Sequence, residues 1–228
     1  MGHTGLRQRK KAQMRQHIAD TAARLFAAYG FDQVSIADVA QAVGISDQTV
    51  YNYFPSKQDL VLDRAEEISE RYRQAVVNRP HGTSPASALY PLAQEDIERF
   101  RHAELDQARG EFPALGIASS SIRRFELELR DSQVELVAAA ITATCPTLHP
   151  AIVYTHASAL ISVFQMITDH IGRCVLSDTS IVTVADELTL AAETVFNDLD
   201  SHFHTLIYPS DHNPQKQSGS SYTKEYTA

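Results

Sequence analysis

A chain of 228 residues, 43 % of them hydrophobic, is long enough to bury one large core or two small ones and has the composition of a globular protein. No run approaches the roughly 20 consecutive apolar residues that span a bilayer, the polar, basic N-terminus lacks a secretory signal, and Cys145 and Cys174 alone imply no disulfide framework. These features predict a cytoplasmic protein without a membrane partner. The net charge of −8 argues against a polyanion, yet residues 1–57 hold seven Lys/Arg (Arg7, Arg9, Lys10, Lys11, Arg15, Arg24, Lys57) against four acids, a net of +3 that leaves −11 for the rest. That asymmetry predicts a nucleic-acid-facing head on an acidic body.

The apolar spacing is helical almost throughout. Behind a basic arm, Arg7 to Lys11, a first helix is predicted from Met14, with Ile18, Ala22, Leu25, Phe26 and Tyr29 on one face and Gly30 at its end. Ser35 caps a short second helix carrying Ile36, Val39, Ala40 and Val43, with Asp38 in its first turn. Gly44 ends it, Ser46 caps a third helix, and Pro55 stops that one after Phe54. Ser56 and Asp59 then predict a capping box for a long fourth helix through Val61, Ala65, Ile68, Tyr72 and Val76.

After a break at Arg79–Gly82, a fifth helix is expected from Pro85 through Leu89, Ala93 and Ile97, with Pro91 imposing a kink or a later start. Gly110 to Ser121 reads as loop plus a short helix, followed by a helix over 122–145. The segment 151–176 is apolar on more than one face and is hard to bury within one subunit. A last helix spans 181–207, and the polar composition from Tyr208 predicts a disordered tail. Neither an internal repeat nor a strand is evident. The expectation is an all-α protein: residues 1–57 a three-helix, helix-turn-helix DNA-binding domain, 58–207 a helical ligand-binding and dimerisation domain, 208–228 the tail.

Two short helices joined by a glycine-centred turn match the helix-turn-helix plan, in which the second helix enters the major groove. Within Ser46–Phe54, Val50 and Phe54 face inward with Ile45. The other side shows Asp47, Gln48, Thr49, Tyr51 and Asn52. Gln and Asn pair with adenine, Asp accepts from the cytosine amino group, and a Thr methyl meets a thymine methyl. Ser46, Tyr53 and Lys57 suit phosphate oxygens, which position a protein without specifying sequence. Ser35, at the start of the preceding helix, completes this DNA-facing set. Asp47 has two readings: it favours the positive N-terminus of its helix, or it reads a cytosine.

The residues Gly30-Phe31, Ile36-Ala37-Asp38-Val39-Ala40 and Thr49-Val50-Tyr51-x-Tyr53-Phe54-x-Ser56-Lys57 closely resemble the DNA-binding domain of the tetracycline-repressor (TetR) family, over roughly residues 12–62. The basic arm is similar to that of members that reach toward the minor groove or backbone. Asp47 departs from the pattern, which more often has a basic or neutral residue there. The resemblance implies a homodimeric bacterial repressor that binds a palindromic double-stranded operator and is released by a small-molecule effector. By that resemblance Ser46, Tyr53 and Lys57 contact phosphates, and Gln48, Thr49 and Tyr51 reach bases. It also implies that the last two helices form a four-helix dimer interface, with Leu160, Phe164, Ala192, Val195 and Leu199 as candidates. The body would enclose a cavity, for which Tyr90, Phe100, Phe125, Phe164, Gln165 and His170 are the candidate lining. The sequence does not name the effector, and activation in place of repression stays open.

Other classes fit less well. No Gly-rich phosphate loop, nucleophile elbow or zinc-protease motif occurs, so no enzyme activity and no cofactor are expected. His156 and His170 lie nearly four turns apart, too far to share a metal ion on one helix, and no His-x-x-x-His or Cys-x-x-Cys spacing is present. An architectural DNA binder would not need the base-reaching face of the third helix.

Overall fold

Between Leu6 and Gly30 the chain contains no proline or glycine, so nothing in it stops a helix begun upstream of Met14. In the computed structural model, which describes residues 3–177 and 179–207, helix α1 accordingly spans His3–Tyr29. The Arg7–Lys11 stretch, expected as an arm ahead of the first helix, is its N-terminal portion. Gly30, at φ +81°, turns the chain into a 3-10 turn at Phe31–Gln33. Helix α2 (Ile36–Val43) and α3 (Asp47–Tyr53) follow, with Gly44 in the left-handed conformation between them.

The body comprises α4 (Ala65–Val77), α5 (Pro85–Arg101), α6 (Leu105–Ala108), α7 (Phe112–Ala118), α8 (Ser120–Thr144), α9 (Pro150–Leu176) and α10 (Ile181–Ile207). The described residues are all-α, as the sequence predicts. The tail expected over 208–228 lies outside them.

Two departures have physical causes. The Ser56–Asp59 box forms, with the Ser56 amide donating to Asp59 Oδ2 at 2.7 Å, but it caps a 3-10 turn at Gln58–Leu60, and α4 starts only at Ala65. Leu60 is buried in the head and Asp63 is bound by Arg15 of α1, which holds this stretch to the head as a turn. Pro91, expected to kink or delay the fifth helix, sits within an unbroken α5. The carbonyl it deprives of a donor belongs to Ser87, and both residues are exposed, where an unpaired carbonyl is tolerated.

Two hydrophobic clusters organise the chain. The head cluster gathers Ile18, Ala22, Phe26, Phe31, Val34, Ile36, Val39, Ala40, Val50, Phe54 and Leu60, and it also takes in Leu115 from α7 and Ile122 from α8. The body cluster centres on α9, which packs against α5, α7, α8 and α10. That packing buries Val153, Ala157, Leu160, Ile161, Val163, Phe164, Ile167 and Ile171. The apolar surface of this segment is therefore covered largely within one protomer, contrary to the sequence expectation. Although α9 is long and apolar enough to cross a membrane by composition, it is the core helix of the body.

Helix α7 is the joint between the two clusters: Leu115 faces the head and Ala114 the body. Glycines permit the close approaches around it. A Cβ on Gly110 would stand 1.8 Å from the Ala23 carbonyl oxygen of α1, and one on Gly172 of α9 would stand 2.1 Å from the Pro113 carbonyl oxygen. Ser119, 3 % exposed, caps α8 and donates to Asp32 of the head at 3.2 Å.

Candidate nucleic-acid interface

Helix α2 begins with a reciprocal cap. Ser35 Oγ accepts from the Asp38 amide at 3.1 Å, and Asp38 Oδ2 accepts from the Ser35 amide at 2.7 Å. These hydrogen bonds hold the Asp38 carboxyl below its ordinary pKa. The turn at Gly44 then delivers Ser46, whose Oγ accepts from the Thr49 amide at 3.2 Å and lies 2.8 Å from Thr49 Oγ1. Val50 and Phe54 are fully buried and fix the inner face of α3 against α1 and α2.

The opposite side of α3 is open. Asp47, Gln48, Tyr51 and Asn52 are exposed, and Thr49 is half-buried by its cap. Gln48 Nε2 donates to Asn52 Oδ1 at 3.3 Å, so the two amides one turn apart present a joined pair of donors and acceptors. Ser35 is exposed at the neighbouring helix start, but its hydroxyl is committed to Asp38. Lys57 is half-buried with Nζ 4.1 Å above the Phe31 ring. Desolvation draws its pKa down, opposed by the nearby carboxylates of Asp32 and Asp38.

The sequence reading missed the residue that aims this assembly. Arg15 donates from Nε to Asp63 Oδ1 at 2.6 Å and from Nη1 to the Tyr53 carbonyl, and its guanidinium carbon lies 4.3 Å from the Phe54 ring centroid. One side chain thereby ties α1 to the end of α3 and to the chain leading into α4. Its helical register with Ile18 and Ala22 was the available signal. Tyr53, half-buried, borders a groove of about 480 Å³ whose other walls are Arg7, Gln8, Lys10, Lys11 and Met14.

The chain matches the model of bacterial regulatory proteins, tetR family, over residues 18–63, which covers α1 from Ile18, α2, α3 and the turn to Asp63. Over that segment the chain is similar to the DNA-binding head of the tetR family. The chain is 33 % identical over 85 residues to the HTH-type transcriptional regulator TcmR of Streptomyces glaucescens, a match covering 37 % of this chain and 38 % of that protein. The chain thus spans well under two thirds of the curated relatives it matches. Two solved structures share the fold across head and body. NalD, the secondary repressor of the MexAB-OprM multidrug efflux pump in Pseudomonas aeruginosa, superposes with a TM-score of 0.54 at 19 % identity, covering 81 % of this chain and 97 % of that one. The transcriptional regulator FadR from Bacillus subtilis, solved in complex with stearoyl-CoA, gives 0.52 at 17 % identity, covering 83 % and 99 %.

The candidate effector residues do not surround one cavity. Tyr90 and Phe164 meet through Phe196, at ring-centroid distances of 5.6 and 6.0 Å, and Tyr72 stacks on Phe164 at 4.4 Å. Burial pushes the Tyr72 phenol well up. Phe100 is buried in the same cluster, whereas Phe125 and His170 lie exposed on the outside. Gln165 donates to Glu126 and Asp169, each at 2.7 Å, within a polar network that Arg123 completes.

Three of the five expected dimer residues are taken up by the protomer's own core. Leu160, Phe164 and Ala192 are at most 5 % exposed and so interior to one protomer, whereas Val195 and Leu199 pack against the same core but stay partly exposed. Among the described residues, the exposed large apolar side chains of α9 and α10 are Tyr154, Leu176, Val182 and Leu190. Both cysteines are free thiols, and among the described residues no three His, Cys, Asp or Glu side chains are grouped to hold a metal.

Proposed function

We propose that the protein is a sequence-specific transcriptional regulator acting in the bacterial cytoplasm, a repressor that leaves its operator when a small molecule binds the body. The open face of α3 supports this most directly: Gln48, Tyr51 and Asn52 stand exposed on a helix whose inner face is locked by Val50 and Phe54. Such a helix reads base edges in the major groove with Gln48, Thr49, Tyr51 and Asn52, and Asp47 at its start either meets a cytosine or serves the helix terminus. Ser46, Tyr53 and Lys57 hold phosphates, with Ser35 beside them. Residues 1–57 form the DNA-binding unit and 58–207 the effector and dimerisation unit.

Two copies pair through the outward faces of α9 and α10, with Tyr154 and Leu190 among the contacts, and read a palindromic site. The effector enters the body by parting the aromatic seam of Tyr72, Tyr90, Phe164 and Phe196. It acts because it prefers the parted body to the DNA-competent one. Selection of bound sequences from a random DNA pool tests the reading. An enriched palindrome upstream of the protein's own gene or of a neighbour is the expected result, and a neighbouring enzyme or pump gene then nominates the effector by its substrate. Binding without sequence preference would instead indicate an architectural role.

A further inference from the structure

We propose that Arg130, on α8, anchors the effector, and that the effector is therefore an amphipathic organic monocarboxylate. The inference rests on the reading of the body as an effector unit and names the chemistry that unit takes. Arg130 belongs to a polar ladder between α8 and α9. Arg123, Glu126, Arg130, Val134 and Val137 recur at steps of three and four, so they share one face of α8. On α9 the facing stripe is Ser158, Ser162, Gln165 and Asp169. The rungs run antiparallel: Arg123 donates to Asp169 at 2.5 and 3.1 Å, Gln165 to Glu126 at 2.7 Å, and Arg130 Nη2 to Ser162 Oγ at 3.0 Å.

The Arg130 rung lacks a counter-charge. Arg71, Arg73, Arg99, Arg101, Arg123 and Arg124 each meet a carboxylate. Arg130 meets none among the described residues, and its Nε is the one buried side-chain nitrogen or oxygen among them without a hydrogen-bond partner. Glu126, one turn away and 3 % exposed, is held by Arg123 at 2.9 Å and by Gln165. A buried donor on a charged group costs free energy until an acceptor meets it. The edge formed by Nε and Nη2 fits the two oxygens of a carboxylate. Nη2 is free to exchange, because Ser162 would lose only an accepted bond and keep its donation to the Ser158 carbonyl at 2.6 Å. The nearby Glu126 charge disfavours a dianion such as phosphate, which selects a single carboxylate. The rest of the ligand is apolar, since the next positions on this face of α8 are Val134 and Val137, both buried. Beside them Gln133 donates to Ser69 of α4 at 3.1 Å, and Tyr72, one turn along α4, begins the aromatic seam.

The test uses the full chain and probes of known chemistry: octanoate and benzoate, their alcohols octan-1-ol and benzyl alcohol, and inorganic phosphate. Binding is read by calorimetry and by the shift in unfolding temperature. At least one carboxylate is expected to bind about tenfold or more tightly than its alcohol, and phosphate is expected not to bind. Arg130→Met is uncharged and removes an uncompensated cation, so it is expected to unfold at or above the parent's temperature and to lose the preference for the carboxylate. Ser162→Ala is expected to keep that preference. The anchor is overturned if neither carboxylate binds, if the alcohols bind equally well, or if the preference survives Arg130→Met. An Arg130→Met protein that unfolds below the parent also overturns it, by marking a guanidinium with a structural task. Release of a DNA site selected from the random pool separates this inference from the reading beneath it. A carboxylate that binds through Arg130 yet leaves the DNA occupied keeps the anion site and refutes the effector reading. DNA released by the alcohols equally in the parent and Arg130→Met keeps the effector reading and overturns the anchor.

Discussion

Gln48 and Asn52 are joined by a side-chain hydrogen bond across one turn of α3, so each orients the other. Gln48→Ala is expected to remove about 1–3 kcal/mol of discrimination at one or two base pairs, and combining it with Asn52→Ala should cost less than the sum of the single changes. Titrations against operators substituted one base pair at a time measure both effects; full additivity would show the pair acting independently. Tyr53→Phe, by contrast, should weaken binding to all sequences alike. Glycines divide in a similar way by what surrounds them. Gly110→Ala, whose Cβ would meet the Ala23 carbonyl, is expected to cost at least about 3 kcal/mol. Gly82→Ala, with a positive φ of +85° and open space around it, should cost about 1 kcal/mol; comparison of denaturation midpoints separates the two. The polar side of α3 was legible in the sequence because Val50 and Phe54, four apart, mark its inner face. The tasks of Arg15 and Gly110 were not, since a guanidinium reaching Asp63 and a backbone touching Ala23 depend on the packing of distant segments.

At the scale of elements, caps and breakers announced most boundaries: Ser35 and Ser46 each accept from an amide in the first turn of the helix they precede, and Pro85 opens α5. Ser119 does the same for α8 while reaching Asp32 in the head. Ser119→Ala is therefore expected to cost about 1 kcal/mol from the cap alone, with a further cost from giving up the hydrogen bond to the head. Asp32→Asn in the same background measures that second part, and independence of the two changes would argue against the coupling. The fourth helix shows where local signals fail. Its capping box formed as the sequence foretold, yet Leu60 and Asp63 were claimed by the head before an α-helix could propagate. Likewise the apolar girth of α9 showed that it had to be buried, but not by what; α5, α7, α8 and α10 supply most of the cover, which is why Leu160 and Ala192 turned out to be interior.

For the whole molecule, stability carries a pH dependence located where α9 meets α10. His156 packs edge-on to Phe203 at 5.3 Å, and burial, assisted by nearby His202, draws its pKa below the ordinary 6.5. The unfolded chain then binds the proton more readily than the folded one, so stability present above pH 6.5 is lost as pH falls through the lowered value. His156→Phe is expected to flatten the denaturation midpoint across that range relative to the parent; an unchanged profile would place the titration elsewhere. The all-helical plan was legible from apolar periodicity alone. The candidate effector site was not, because Tyr90 and Phe164 come together only through Phe196, while Phe125 and His170, equally suitable by residue type, face outward.

Leu115 and Ile122 complete the core of the head although they lie far beyond residue 63, where the family match ends. The head is thus not a cassette that can be cut at the motif boundary. A fragment ending there would leave an apolar socket open to water, and should associate or unfold. Anyone exchanging heads between relatives to rewire which signal controls which operator would need to graft α6, α7 and the first turn of α8 along with the helix-turn-helix. Gly110 would have to travel with them, since no other residue lets that segment lie against the first helix.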